Sequence, residues 1–134
     1  MVTTTEPALA RAHEAYLAAI NANDVEAVLA LLTEDAVYLP PHEPAVVGTA
    51  AIRPWLAGYF GAYRTHWEKE TRELVAAGDW AFEVAAERVR DVPADGGAPV
   101  DDIAKGIIIY RRQPDGAWKV ARDIWNSDAP APAH

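Results

Sequence analysis

The stretch KVARDIWNSD, residues 119–128, places a carboxylate, Asp123, two positions before a tryptophan, Trp125, in what reads as a β-strand. Successive strand side chains point to opposite faces, so Asp123 shares a face with Trp125 while Arg122 takes the other. A carboxylate held against an indole in an apolar cavity loses hydration, and its pKa climbs toward the range useful for proton transfer near neutrality. The plainer reading is an ion pair. Arg88 continues the strand face of Trp80, Phe82, Val84 and Ala86, and pairing with it would keep the acid's pKa low. His42, between Pro41 and Glu43, has the unperturbed pKa of a proton shuttle, against the ordinary alternative of a solvated loop histidine. Trp55, Tyr59, Phe60 and Tyr63 fall close together and would suit a flat ligand where they wall a cavity.

Other chemistries find no carriers. With no cysteine there is no disulfide framework, thiolate metal site or cysteine nucleophile. His13 and His66 lack companions at metal-ligand spacing, so no metal is expected. No Gly-rich loop follows a strand, which argues against a nucleotide. A net charge of -8, from 20 acidic and 12 basic residues, opposes nucleic acid and anionic membrane surfaces. No apolar run approaches the ~20 residues of a membrane span. The partner expected is a small apolar or aromatic molecule, or another protein chain. The opening MVTTTEPALA lacks the layout of a secretory leader, and a cytoplasmic location is expected.

These residues need a scaffold. The length of 134 residues suits one domain, 1–134, with an ordered core of about 6–128 and tails at 1–5 and 129–134. The first helix is expected from an N-cap at Thr5, with Pro7 tolerated in the first turn and Leu9, His13, Tyr16, Leu17 and Ile20 on one stripe. Asn23 and Glu26 spell a capping box for a second helix that turns Val25, Val28, Leu29 and Leu32 inward. AVYL, 36–39, reads as a short strand stopped by Pro40-Pro41. Thr49 is expected to cap a third helix reaching about Tyr63, with Pro54 delaying its regular part to about Arg53. Strands follow at 66–76, 79–90, 102–112 and 117–126, divided by Gly78-Asp79, PADGGAP and QPDG. Three helices and then an antiparallel meander make an α+β layout.

Neither face of the last strands is polar. Ile107 to Ile109 run consecutively, and the final strand sets Trp118, Val120, Arg122 and Ile124 against Lys119, Ala121, Asp123 and Trp125. Apolar content alone would turn Trp118, Val120 and Ile124 inward together with Arg122. Helices can cover one face only, so a homodimer is expected to cover part of the other.

AYLAAINANDVEAVLALLTEDAVYLPP, GTAAIRPWL and DGAWKVARDIWNSD, with their spacing, resemble the nuclear-transport-factor-2-like superfamily over nearly all of residues 8–128. Ketosteroid isomerases and SnoaL-type polyketide cyclases belong to it. The resemblance implies a cone-shaped, strongly curved antiparallel sheet wrapped around three N-terminal helices, a cystatin-like roll, with a cavity between them. It also implies dimers through the sheet's outer face. By comparison with the isomerases, Tyr16, Trp55, Trp80, Phe82, Asp123 and Trp125 point into the cavity, and Tyr59 and Arg88 complete the expected ligand-binding set. Tyr16 matches the isomerases' oxyanion donor. Their general base would fall at Pro40, near His42, and their second acid near Gly106 or Ile107, where this chain has no acid. In the cyclases an acid on the last strand is the base, matched by Asp123, but the assisting histidine is missing from GIIIY.

The resulting expectation is a cofactor-independent acid/base enzyme, of isomerase, cyclase or lyase type, on a small apolar carbonyl or polyketide-like compound. Asp123 moves the proton, Tyr16 steadies the oxyanion, and His42 is the third catalytic candidate. A non-catalytic small-molecule binder and a dimeric assembly module are the alternatives.

Overall fold

The structure, a computed structural model, describes residues 6–130. Helix α1 (Pro7–Asn21) begins at the proline expected in its first turn, while Thr5, expected as its cap, lies outside the described residues, as do 1–4 and 131–134. Helix α2 (Val25–Leu29) is capped by Asp24, whose carboxylate accepts from the Ala27 N–H at 3.1 Å. Asn23, expected in that role, instead sits at φ 55° and sends its side chain elsewhere. Strands β1 (Leu32–Leu39) and β2 (Val46–Val47) follow, then helix α3 (Thr49–Ala62). Gly48, at φ 83°, is the N-cap of α3 rather than Thr49, and Pro54 is accommodated inside a helix that is already regular from Thr49.

The remaining strands are β3 (Tyr63–Ala77), β4 (Trp80–Pro93), β5 (Val100–Arg112) and β6 (Trp118–Ser127), each within a few residues of expectation. They form the meander, and β1 then joins it parallel to β6, giving one mixed sheet in the order β2-β1-β6-β5-β4-β3. The sheet is therefore not purely antiparallel. Its parallel pair explains why β1 starts at Leu32, four residues before the AVYL segment: Leu32 already stands opposite Val120.

Strand β3 lies at the sheet's edge, where unpaired N–H and C=O groups need partners. Two asparagines supply them. Asn21 accepts from Trp67 N–H at 2.7 Å and donates to Trp67 C=O at 2.9 Å; Asn23 does both to Thr65 at 2.9 Å. The side-chain amides thus act as two further rungs of the ladder and clamp the end of α1 to the sheet.

The core lies between the helices and one sheet face, where Leu9, Val28, Ile52, Leu56, Tyr110 and Val120 are almost wholly buried. No helix among the described residues is long and apolar enough to cross a membrane.

Candidate active site

Strand β6 reverses its own face. Tyr110 pairs with Val120 but Ile109 pairs with Arg122, so Ala121 is an extra residue, a bulge. Before it, Trp118 and Val120 face the core; after it, Asp123 and Trp125 do. Apolar counting was right for the first half of the strand and the resemblance for the second. Ile124 is left 40% exposed on the outer face, and Arg122 donates to the carbonyls of Asp35 and Ala121.

Asp123 therefore enters a cavity walled by α1, α3, β1 and the sheet. Its carboxylate accepts one hydrogen bond, from Tyr16 Oη at 2.7 Å, and Tyr16 Oη lies 2.7 Å from Tyr38 Oη. Because Tyr16 gives its only proton to Asp123, Tyr38 must donate to Tyr16, and the three form a directed chain. Burial raises the Asp123 pKa above the ordinary carboxylate value, more than Lys69 and the Tyr16 hydrogen bond lower it; the Glu83 charge raises it further. Both tyrosines are held protonated, mainly by burial and also by the Asp123 charge. Tyr16 is thus a partner of the acid, not an unengaged oxyanion donor.

The charges around Asp123 come from β3 and β4, which the sequence did not point to. On β4 the inward positions are Ala81, Glu83, Ala85 and Glu87, so Trp80 and Phe82, expected in the cavity, face outward at 43% and 38% exposure. The acids tolerate burial because each has partners. Glu83, fully buried, accepts from Thr71 at 2.7 Å, Tyr110 at 2.8 Å and His13 Nδ1 at 2.9 Å. Burial pushes its pKa up, but His13, Thr71 and the Lys69 charge together bring it below the ordinary value. Glu87 lies 3.4 Å from Lys69 Nζ, with both side chains 4% exposed. Its pKa is raised, chiefly by burial and also by Asp123, against the lowering by Lys69.

Arg88 follows Trp80 and Phe82 to the exposed outer face, so the expected Arg88–Asp123 pair does not form; Lys69 is the cation near Asp123. His42 is exposed at φ 62°, outside the walls of this cavity.

Gly106 explains how Glu87 fits. A Cβ there would stand 2.7 Å from Glu87 Oε1, 2.7 Å from Ile124 O and 3.1 Å from Trp125 Cβ. The glycine on β5 leaves a trough across which the Glu87 side chain lies. A carboxylate from the neighbouring strand thus lies beside Gly106, where β5 itself carries no acid.

Trp55, Tyr59 and Trp125 line the cavity as expected, joined by Tyr38, Phe60 and Trp67. The rings are in contact: Trp55 lies 5.8 Å from Trp125 and 5.6 Å from both Tyr38 and Tyr59, centroid to centroid. They leave an inner space of about 30 Å³. That is room for about two ordered waters. Beyond them an outer pocket of about 280 Å³ shares Trp55, Tyr59, Trp67 and Trp125 as its floor. Among the described residues no group of three or more His, Cys, Asp and Glu side chains is placed to hold a metal ion.

A buried acid at the inner end of an aromatic cavity, on three helices and a mixed sheet, defines a familiar class of small α+β domain. The family model for the SnoaL-like domain matches residues 13–121, and the chain belongs to that family. Among solved structures, it is similar to a ketosteroid isomerase-like protein from Erwinia carotovora atroseptica, at 27% identity and a TM-score of 0.84, covering 92% of this chain and 95% of that one. It also matches a conserved protein from Planctomyces limnophilus at 21% identity and a TM-score of 0.80, over 90% and 94% of the two chains. An NTF2-like protein of unknown function from Pseudomonas putida matches at 22% identity and a TM-score of 0.70, over 88% and 82%. The last two likenesses speak to the fold alone. No curated protein matches the chain.

Proposed function

We propose that the chain is an acid/base enzyme of isomerase, cyclase or lyase type, acting on a small carbonyl compound without a cofactor. One observation carries this: Asp123 sits at the inner end of an aromatic cavity, held by a single hydrogen bond and, among the described residues, by no ion pair. Its raised pKa suits a base that works near neutrality. Asp123 takes a proton from the carbon beside the carbonyl; the C–H electron pair becomes the enolate C=C bond, and the carbonyl π pair moves onto the oxygen. The Lys69 ammonium, or Glu87 as a neutral acid, stabilises that oxygen. Returning the proton to another carbon completes an isomerisation. Attack of the enolate on a second carbonyl, whose oxygen takes the proton back from Asp123, completes a cyclisation, and departure of a β-substituent with that proton completes an elimination. Tyr16 and Tyr38 orient the base. The likeness to the ketosteroid isomerase-like protein supports the class of reaction.

Because the inner space is small, a substrate reaching Asp123 must part the Trp55, Tyr59 and Trp125 rings. A binding protein that holds its ligand only in the outer pocket is the second reading, favoured by that closed floor. Deuterium uptake from heavy water, followed by NMR across a panel of small ketones, separates the two. The enzyme reading expects exchange that disappears in Asp123→Asn; no exchange, or equal exchange in the variant, would refute it.

We also propose a homodimer through the outer sheet face. Trp80, Phe82, Ile107 and Ile124 stand 38–43% exposed there, on three neighbouring strands. A patch of this kind is unusual on a monomer's surface. Sedimentation showing a monomer at tens of micromolar would refute the dimer.

A further inference from the structure

The outer pocket pairs two kinds of wall. Aromatic rings line it: Trp55, Tyr59, Tyr63, Trp67 and Trp125. Between them stand three carboxylates, Glu43, Asp91 and Asp102, and no lysine or arginine. Each acid is anchored by neutral donors: Glu43 by the Trp55 indole at 3.2 Å, Asp91 by Tyr59 Oη at 2.8 Å, Asp102 by the Ser127 hydroxyl and the Ile103 N–H at 2.9 Å. Among the described residues none of the three enters an ion pair, although Asp101, next to Asp102, pairs with Arg90. Among the described residues, then, no cation stands within ion-pair distance of these acids. Deeper in, Asp123 and Glu87 stand with a single cation, Lys69.

Such a surface repels carboxylates and phosphates. It does not suit a metal ion either, since the acids are too dispersed to act together as ligands. What matches both walls is a weakly hydrated organic cation, because ring faces attract ammonium groups and the acids neutralise them. We infer that the outer pocket binds an organic ammonium, a substituted amine on an apolar or aromatic body. Its cationic head lies among Glu43, Asp91 and Asp102, and its body points toward Trp55 and Trp125. This names the substrate class for the proposed acid/base reaction and rests on that reading only for the end that reaches Asp123.

The test compares benzyltrimethylammonium, its uncharged carbon isostere neopentylbenzene, and phenylacetate, by titration calorimetry and tryptophan quenching. The cation is expected to bind at least about tenfold more tightly than the isostere, with phenylacetate weakest. Glu43→Gln and Asp91→Asn should each weaken the cation about threefold and leave the isostere unchanged. Glu43 is exposed, so its variant keeps the fold testable. Equal or tighter binding of the isostere, binding led by phenylacetate, or no binding of the cation would overturn the inference. The two readings fail separately. Asp123-dependent exchange without cation selectivity removes only this inference, and cation selectivity without such exchange removes only the enzyme.

Discussion

Replacing Asp123 by asparagine tests the acid directly, because the side chain keeps its shape and still offers Tyr16 an acceptor oxygen. In the folded state the Asp123 pKa is raised above the ordinary 3.8, with burial as the largest cause and with Tyr16 and Lys69 acting against it. That net direction already includes the hydrogen bond and the nearby ammonium. The ionised form is therefore less favourable in the native state than in the unfolded chain. Below pH 3.8 both states hold the proton and wild type and variant should be close in stability. As pH rises past that value, the unfolded chain releases its proton first. The native state then binds more protons than the unfolded one, and wild-type stability falls with pH until the folded pKa is passed. The asparagine variant does not fall with it. Its advantage should widen with pH and then level off, at about 1.4 kcal/mol for each tenfold difference in proton affinity. For a domain of this size, 1 kcal/mol moves the Tm by roughly 3–4 °C. Urea titrations of both proteins from acid to mildly alkaline pH provide the curves. If Asp123 were instead a structural partner of Lys69 beside Glu87, the substitution would remove one of the two counter-charges of that buried ammonium and cost up to about 3–5 kcal/mol at neutral pH. A loss of that size would remove the base from the proposed reaction.

Glu83→Gln should behave in the opposite way. The folded pKa of Glu83 is lowered, so its stabilisation is present above the ordinary 4.5 and lost as pH falls through the folded value. The variant should cost about 2–3 kcal/mol at neutral pH, where charge-assisted bonds from His13, Thr71 and Tyr110 are weakened, and less in acid; a penalty independent of pH would contradict this. Gly106→Ala should cost about 1–3 kcal/mol by overpacking and push Glu87 aside, and a neutral result in denaturant titration would mean that Glu87 does not lie across β5. Ile107→Glu should yield a folded monomer by sedimentation, and an unchanged dimer would place the interface elsewhere.

Much of the fold was legible because it rests on local signals. Proline in the first turn of α1, the Gly78-Asp79 and QPDG turns, and runs of β-branched and aromatic residues placed the elements within a few residues. The errors at helix starts were contests between neighbours. Asn23 was needed at the β3 edge, so Asp24 took the cap, and a demand from Thr65, 42 positions downstream, is invisible in a capping pattern. The parallel β1–β6 pair was missed for a similar reason, since nothing local announces which strand a short segment will join.

Parity decided the site, and parity is where a pattern of apolar residues misleads. On β4 the large aromatics suggested an inward face, yet the inward positions went to two acids and two alanines. That choice makes sense only once the facing groups are known: Thr71, Tyr110 and His13 around Glu83, and Lys69 beside Glu87. Without those partners, burying Glu83 and Glu87 would cost far more than exposing Trp80 and Phe82. The same logic runs through β6 and β5. One inserted residue, Ala121, lets Val120 serve the core and Asp123 the cavity on a single strand. One missing side chain, at Gly106, lets an acid from β4 lie where β5 itself offers none. The candidate site thus depends on a bulge and a glycine, two features that add no functional group of their own but bring Asp123 and Glu87 to one cavity.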